Sequence, residues 1–379
     1  MTVTPRERVQ MALNHEEPDR VPIILGTSNT TSLKMPACRR LKKALGIAAE
    51  DTYLYDWPEL GTALPDEETL LRLHSDARGV LDRFPEWVYR QNRSRPPHTP
   101  FRDDWQTGSV EVEPGVWYPG IHPMAEIATA EQLEAWSWPD MDDPTRVALV
   151  RAQAERLRKE TDCAVIGTPW LLFPFERAHA LQGLDRFLMN MALDPDFARA
   201  LLGKIAACCK RLMGHFLEEA GDILDIIKIG DDLGSQSGLM ISPPMYRAIL
   251  KPVHADFIRF IKERTQAKIF FHSDGDVFDL IPDFIEIGID ILNPIQTSAG
   301  KMANLAELKS RYGRHLTFCG AVDTQYYLPR GTPEEVRKEV RRVLEIMSPG
   351  GGYMLAPVHT IMADTPPENI LAMVDAALA

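Results

Sequence analysis

Short apolar runs alternate with amphipathic stretches along most of this chain. Each run ends in polar residues or glycine, as a buried parallel strand followed by a loop does. The stretches between them, such as PEEVRKEVRRVLEIM, carry apolar residues at helical spacing. Strands that alternate with helices predict a parallel sheet. The predicted strands lie within residues 21–25, 163–169, 224–232, 268–275, 290–296, 316–323 and 353–359.

A weaker strand candidate near Val80 raises the number of predicted strands to that of a closed (β/α)₈ barrel. The alternative is an open, doubly wound sheet, which predicts a glycine-rich phosphate turn after an early strand. Neither GxGxxG nor GxxxxGK[ST] occurs in the sequence, and this favours the barrel. We therefore predict an α/β fold of the (β/α)₈ type, formed by residues 1–379 as one domain.

Residues 81–160 interrupt the alternation. They are rich in tryptophan, proline and arginine, and the motif PGVWYPG reads as turns and a hairpin. We predict that this stretch is an insertion that covers the mouth of the barrel.

The composition narrows the range of partners. Of 379 residues, 42 are basic and 54 acidic, which gives a net charge of −12. This charge disfavours nucleic acid and anionic membrane surfaces, so a small molecule is the expected partner. The polar N-terminal sequence and the lack of any long apolar run predict a cytoplasmic protein without membrane spans. The five cysteines show no CxxC spacing, as is usual for free thiols in a reducing compartment.

Three candidate metal ligands stand at the ends of predicted strands: His272, Cys319 and His359. The βα loops of a barrel meet at one mouth, so these side chains are expected to face one cavity. Two imidazoles and a thiolate suit Zn²⁺, which keeps an open position when it is catalytic. Asp274 could complete the coordination or act in catalysis beside it. The alternative for each residue is a structural role, as a buried histidine or a packed cysteine.

Adjacent carboxylates follow another predicted strand in the motif KIGDDLG. Asp231 and Asp232 must point in different directions, so at most one is expected to enter the cavity. That one could polarise a substrate or a metal-bound water, whereas both could instead cap the loop or the next helix. Asp76, next to the weaker strand, is a further candidate inward carboxylate.

An apolar wall is predicted in the motif GTPWLLFPFERAHA. Trp170, Phe173 and Phe175 would shape a pocket for an aryl or alkyl group of a substrate. Glu176 and Arg177, which follow, could form an ion pair with each other.

Several motifs together resemble the uroporphyrinogen decarboxylase superfamily. They are, in order, GTPWLLFPF, KIGDDLGSQSG, HSDGDV, CGAVDTQ, and GGGYMLAPVHTI followed by DTPPENI. The resemblance runs over nearly the whole chain and implies a (β/α)₈ barrel. It also implies one of two chemistries, that of the porphyrinogen decarboxylases or that of zinc-dependent methyltransferases that work with methyl-corrinoid proteins.

Departures from the decarboxylase pattern favour the methyltransferases. The segment after the first strand, GTSNTTSLKMP, lacks the arginines that hold substrate carboxylates in decarboxylases, and Phe175 stands at the position of their active-site tyrosine. Asp76 and His359 match the decarboxylase aspartate and histidine. His272 and Cys319 match methyltransferase ligand positions, although those enzymes carry His-x-Cys where this chain has His-Ser-Asp.

The resemblance therefore implies a zinc-dependent methyltransferase of the corrinoid-linked O-demethylase type. Its methyl group would move between a small methoxylated or thiol substrate and a corrinoid such as methylcobalamin, with Asp76, Asp232 or Asp274 assisting proton transfer and Asp231 contacting substrate. No cobalamin-binding DxHxxG motif occurs, so the corrinoid would arrive on a partner protein. A homodimer is the expected assembly. The alternatives are a decarboxylase of a tetrapyrrole or smaller acid, in which Asp76 stabilises a cationic intermediate, and a non-catalytic corrinoid carrier.

Overall fold

The fold is that of a computed structural model, which describes residues 3–94, 99–113, 116–171 and 173–379. Its strands are β1 (Ala77–Val80), β2 (Gly108–Glu113), β3 (Val116–Ile121), β4 (Ala164–Gly167), β5 (Ile226–Gly230), β6 (Gly234–Ser235), β7 (Gly238–Leu239), β8 (Lys268–His272), β9 (Ile291–Ile295), β10 (Thr317–Val322) and β11 (Tyr353–Pro357). Its helices are α1 (Pro5–Leu13), α2 (Met35–Leu45), α3 (Glu67–Arg72), α4 (Glu86–Arg93), α5 (Ala130–Ala135), α6 (Val150–Glu160), α7 (Pro174–Gln182), α8 (Leu184–Leu193), α9 (Pro195–Ala220), α10 (Pro243–Met245), α11 (Lys251–Lys262), α12 (Ile281–Glu286), α13 (Leu305–Tyr312), α14 (Tyr327–Arg330), α15 (Pro333–Met347) and α16 (Pro367–Leu378). A π-helical turn, Tyr246–Leu250, joins α10 to α11.

The central sheet contains seven of the described strands, in the order β1-β4-β5-β8-β9-β10-β11. All neighbours in it are parallel. Helices lie between successive strands in the sequence, as the alternation of apolar and amphipathic segments predicts. The prediction of an α/β fold with a parallel sheet is confirmed.

Residues 21–25, predicted as the first strand, form no regular strand. On one side, Ile24 donates its N–H to the carbonyl of Leu355 in β11, and Leu355 donates back to Pro22. On the other side, Asp76, just before β1, donates its N–H to Ile23. The segment thus bonds both edges of the sheet, in the arrangement expected of a (β/α)₈ barrel. Pro22 has no N–H to donate, which limits the regularity of the ladder here.

A layer of apolar side chains fills the inside of the sheet. It includes Ile166, Phe270, Ile291 and Met354, all buried. Helix α1 adds Val9 and Ala12 to the same layer and contacts β1, β4 and β11. This helix therefore closes the amino-terminal end of the sheet, and the loops at the carboxyl ends of the strands are left to form a site.

Residues 81–160 contain α4, the antiparallel pair β2–β3, α5 and α6. Helix α6 packs on β1 and β4, so the last part of this stretch is the regular helix between two strands of the sheet. Residues 95–98 and 114–115 lie outside the described residues. That this stretch is an insertion over the mouth stays a prediction. Among the described residues, no helix has the length and apolarity needed to cross a bilayer.

Candidate metal and substrate site

Three possible metal ligands meet at the carboxyl end of the sheet. His272 is the last residue of β8, Asp274 follows two residues later, and His359 stands two residues beyond β11. One ligand atom from each lies within 4.8 Å of the others. The Nε2 atom of His272 is 3.7 Å from Oδ1 of Asp274, and that of His359 is 3.8 Å from Oδ2. This spacing leaves room for an ion between the three side chains.

Asn293 of β9 fixes the orientation of His272. Its side-chain oxygen accepts a hydrogen bond from Nδ1 of His272 at 2.6 Å, while its Nδ2 donates to the carbonyl of Cys319 at 3.2 Å. The second bond determines which end of the amide faces the ring, and therefore which ring nitrogen carries the proton. Nε2 of His272 is left with a free lone pair, 3.7 Å from Oδ1 of Asp274 and 3.8 Å from Oδ1 of Asp232. Histidines that bind metals are typically held in this way by a partner on the other ring nitrogen.

The ionisation of the three residues also fits a cation. Burial lowers the pKa of His272 to about 3, and burial with the neighbouring His272 ring lowers the pKa of His359 to about 3. Both rings are therefore neutral, as metal binding requires. Burial, and secondarily the charge of Asp232, raises the pKa of Asp274 to about 8. Its Oδ1 atom is buried without a hydrogen-bond partner, and a bound cation would satisfy that atom and restore its ionised form.

A cleft of about 530 Å³, counted out to its open mouth, lies beside the two histidines. Trp170 and Tyr55 line one part of it, and Glu176, Lys228 and Asp232 another. Burial lowers the pKa of Lys228 to about 8, against the opposing effect of nearby carboxylates. Among the described residues that line the cleft, Lys228 is the only lysine, and no arginine is present.

Cys319 does not join the metal-ligand group, contrary to the prediction. Strand β10 continues to Val322, so Cys319 lies in mid-strand rather than at its carboxyl end. Its side chain is fully buried in the apolar layer inside the sheet. Burial raises the pKa of the thiol far above its ordinary range, so a thiolate is disfavoured there. Asp274 takes the place in the group that the prediction gave to the cysteine.

The two adjacent aspartates separate as predicted, with one in the cleft and one outside. Asp232 lines the cleft, and its Oδ1 is 3.8 Å from Nε2 of His272. Asp231 is fully buried and accepts hydrogen bonds from the backbone N–H groups of Phe175 and Glu176 and from Nε2 of His254. Asp231 therefore holds the start of α7, and the structure does not place it against a substrate.

Of the three residues predicted to form the apolar wall of the cleft, Trp170 is the one that lines it. Phe173 is fully buried and packs on His254 and Phe257, while Phe175 is fully buried against Phe187. Both phenylalanines point into the core between helices, because they lie at the start of α7 rather than in the loop before it. They do not line the cleft.

Trp170 is held in place from behind the cleft. Its ring contacts those of Tyr55 and Trp57 edge to face, with centroids 5.0 and 5.3 Å apart. The backbone N–H of Trp170 donates to Oδ1 of Asp82 at 2.7 Å. Burial raises the pKa of Asp82 to about 7.

Asp76 lies at the opposite end of the sheet, where it precedes β1. Its carboxylate bonds Arg8 at 2.7 Å and Arg20 at 2.7 and 2.9 Å, and it accepts the N–H of Ile23. These contacts give Asp76 a structural role at the junction of the sheet edges. The prediction of an inward catalytic carboxylate fails because the residue stands before its strand rather than after it.

The expected pair between Glu176 and Arg177 does not form. Arg177 is buried and bonds Asp103 at 2.7 Å, whereas Glu176 lines the cleft. Successive residues in the first turn of a helix point in different directions, which separates the two. Glu176, Lys228 and Asn293 are therefore site residues that the sequence did not reveal. A lysine inside an otherwise apolar strand was the available signal for Lys228.

Comparison with known proteins identifies the class. The profile of the uroporphyrinogen decarboxylase (URO-D) family matches residues 109–379, so the chain belongs to this family of enzymes. The resemblance stated from the sequence motifs is confirmed, as is the prediction of an enzyme.

The similar proteins include both methyltransferases and decarboxylases. A methylated-thiol–coenzyme M methyltransferase from Methanosarcina mazei is 26% identical over 242 residues, which cover 63% of this chain and 60% of that protein. The methylcobamide:CoM methyltransferase MtbA of the same organism is 23% identical over 99% of this chain and 97% of its own length. A uroporphyrinogen decarboxylase from Alkalilimnicola ehrlichii is 26% identical over 67% of each chain.

A solved structure, a methyltransferase from Methanosarcina mazei, shares the fold. It superimposes with a TM-score of 0.65 at 19% identity and covers 99% of this chain and 98% of its own. At that identity, the similarity supports the fold alone.

Proposed function

We propose that this enzyme is a zinc-dependent methyltransferase that moves a methyl group between a small methoxylated or thiol substrate and a corrinoid protein. The observation that carries the proposal is the group formed by His272, Asp274 and His359, with its buried, unpartnered carboxylate oxygen. Full-length similarity to a methylcobamide:CoM methyltransferase supports the same reaction class.

Two imidazoles and one carboxylate form a ligand set that catalytic zinc commonly uses, with a fourth position left for substrate. When bound, Zn²⁺ would act as a Lewis acid on the oxygen or sulfur atom that carries the methyl group. The protein's own part is to hold the two rings neutral and oriented. Asn293 does this for His272.

The cleft supports a small substrate with little negative charge. Its lining includes two carboxylic groups, those of Glu176 and Asp232, and one lysine, and the carboxyl group of Asp274 lies near Glu176. Trp170 and Tyr55 supply an apolar, aromatic side for an aryl or alkyl group.

The same features weigh against the decarboxylase alternative. A tetrapyrrole with several carboxylates would meet carboxylic groups and no arginine among the described lining residues. Asp76, which would stabilise its cationic intermediate, is already paired with two arginines at the other end of the sheet.

The corrinoid is proposed to arrive on a partner protein, as the sequence analysis implies. The homodimer and the cytoplasmic location remain predictions of the sequence.

The test combines metal binding with methyl transfer. We expect about one zinc ion per chain after reconstitution, and methylcobalamin formation from cob(I)alamin and an aryl methyl ether. His359→Ala should lose both properties. Cys319→Ser is the matched control, because Cys319 is a predicted ligand that lies outside the group. This variant should keep both zinc binding and methyl transfer. The ligand set would be contradicted if Cys319→Ser lost zinc binding and His359→Ala retained it. The reaction would be contradicted if the zinc-loaded wild type transferred no methyl group from ethers, methanol or thiols.

A further inference from the structure

Glu176 occupies a position in the cleft that the proposed metal site does not use. It is the third residue of α7, and it lines the same cleft as His272 and His359. Among the described residues, no hydrogen bond and no ion pair within 4.0 Å ends on its carboxyl group. A carboxyl group without a protein partner, beside a metal-ligand group, is free to interact with a substrate.

A buried chain of hydrogen bonds fixes the backbone that carries Glu176. Asp231 accepts the N–H of Glu176 at 2.7 Å and that of Phe175 at 3.0 Å. Its Oδ2 also accepts from Nε2 of His254 at 2.9 Å, and Nδ1 of that ring in turn accepts from the hydroxyl of Tyr246 at 3.2 Å. Asp231, His254 and Tyr246 are all fully buried. This buried support holds the backbone of Glu176 at one place on the cleft wall.

The surroundings of Glu176 favour its protonated form. Burial is the main cause of a pKa well above the ordinary range, and the charges of Asp232, Asp231 and Asp274 add to it. Lys228, on β5, acts in the opposite direction. Asp232 accepts the N–H of Asp274 on Oδ1, and Asp274 belongs to the metal-ligand group. Glu176 is thus the carboxyl group of the cleft lining on which no hydrogen bond from a described residue ends.

We propose that Glu176 is the general acid that protonates the leaving oxygen atom of a methyl ether substrate. This inference rests on the proposed function and narrows its substrate class to methoxylated compounds. The bond between the methyl carbon and oxygen breaks, and its electron pair stays on oxygen. The proton of the Glu176 carboxyl group moves to that oxygen, while the electron pair of a reduced corrinoid nucleophile forms the new bond to the methyl carbon. The products are an alcohol or phenol, the methylated corrinoid and the Glu176 carboxylate.

General acid catalysis matters most when the leaving group is a strong base. An ether of an acidic phenol expels a weakly basic phenolate and needs little help, whereas an ether of a weakly acidic phenol needs a proton. A series of ring-substituted anisoles, which differ in the pKa of the phenol, therefore separates proton donation from any other role of Glu176.

The experiment measures methyl transfer from this series to cob(I)alamin by zinc-loaded wild type and by Glu176→Gln, which keeps the shape of the side chain but cannot give up a proton. For the least acidic phenols, we expect the rate of the variant to fall about 10²–10⁴-fold. For the most acidic phenols, the loss should shrink to less than about tenfold, and the zinc content should stay unchanged. Glu334→Gln, an exposed residue of α15, is the control for the substitution itself.

The outcomes separate the two proposals. If the wild type is active and Glu176→Gln loses the same factor in rate across the whole series, or loses none, the role of Glu176 is overturned and the proposed function stands. A wild type that transfers no methyl group from any donor overturns the proposed function and the role of Glu176 with it. If Glu176→Gln does not fold, the solvent isotope effect on the wild type tests whether the leaving oxygen is protonated as its bond to the methyl carbon breaks. With the least acidic phenols, a slower rate in D₂O than in H₂O supports this proton transfer, and an equal rate overturns the role of Glu176.

Discussion

The contrasting roles of Asp231 and Asp232 provide a test of the site. Replacement by asparagine should destabilise the fold at Asp231, and at Asp232 it should slow methyl transfer with little effect on stability. Replacing a carboxylate by an amide keeps the size of the side chain and exchanges one acceptor oxygen for an NH₂ donor. At Asp231, both carboxylate oxygens are used, by two backbone N–H groups and by His254. In Asp231→Asn, the new NH₂ group must therefore face one of these buried N–H donors, and neither of the two groups then has an acceptor.

The magnitude follows from the bonds that are lost. A hydrogen bond to a charged acceptor contributes about 1.5–3 kcal/mol, and a buried donor left unsatisfied costs about 1–3 kcal/mol more. We therefore expect Asp231→Asn to lose about 3–5 kcal/mol of folding free energy, the range typical of a broken buried ionic contact. At about 2.1 cal/mol/K per residue, the unfolding entropy of a 379-residue chain is about 0.8 kcal/mol/K. The expected fall in Tm is then about 4–6 °C.

Asp232→Asn is the matched control. Asp232 is partly exposed in the cleft, and its Oδ1 accepts one hydrogen bond, from the N–H of Asp274. The amide oxygen of asparagine can keep that bond, so the stability should stay within about 1 kcal/mol of wild type. Its methyl-transfer rate should nevertheless fall, since the side chain lies beside the proposed metal site.

The assay is thermal unfolding followed by circular dichroism, with both variants and wild type measured in one buffer. A Tm for Asp231→Asn within about 1 °C of that for Asp232→Asn would refute the assignment of Asp231 as a buried support of α7. A larger loss of stability in Asp232→Asn than in Asp231→Asn would reverse the roles altogether.

Three other substitutions test separate parts of the structure. Asn293→Leu removes the acceptor of His272 Nδ1 and should weaken zinc binding about 10–100-fold in a competition titration; an unchanged affinity would contradict the orienting role. Asp76→Asn breaks the buried contacts to two arginines and should lower the free energy of unfolding in urea by about 3–5 kcal/mol. The folded variant should keep its zinc, and a loss of zinc would instead place Asp76 at the site. Asp82→Asn tests a pH dependence, because burial raises the pKa of Asp82 to about 7 in the folded state. The folded protein then holds a proton that the unfolded chain releases between about pH 4 and 7, so wild type should lose up to about 1.4 kcal/mol per pH unit relative to the variant as the pH rises through this interval. A stability difference that is flat with pH would contradict that shift.

The sequence predicts the architecture well because both of its signals are local. Apolar runs and helical spacing each report on a few neighbouring residues, and together they indicate a parallel sheet with helices between its strands. Residues 21–25 are the exception. Their apolar pattern is that of a strand, but Pro22 and the irregular bonds to both sheet edges keep them from forming one.

The site was predicted less completely, because side-chain direction depends on where a strand stops. His272 and His359 were placed correctly at strand ends. Cys319 was misplaced, because the apolar residues around it do not show that β10 continues three residues further, to Val322. Asp76 was misplaced for the related reason that it stands at the start of its strand rather than at the end.

Glu176 was missed because its role depends on contacts between distant segments. The sequence places it next to Arg177, and a pair between them is the simplest expectation. The structure instead binds Arg177 to Asp103 and anchors the backbone of Glu176 on Asp231, 55 residues away along the chain. No local pattern reports such a pairing.

The most direct test of the central claim is the X-ray absorption spectrum of the zinc-reconstituted enzyme at the zinc edge. The structure predicts nitrogen and oxygen neighbours at about 2.0–2.2 Å, with the multiple scattering of two imidazole rings and no sulfur shell at about 2.3 Å. The spectrum of Cys319→Ser should match that of wild type. A zinc–sulfur shell that disappears in Cys319→Ser, or zinc without imidazole scattering, would contradict a site built from His272, His359 and Asp274.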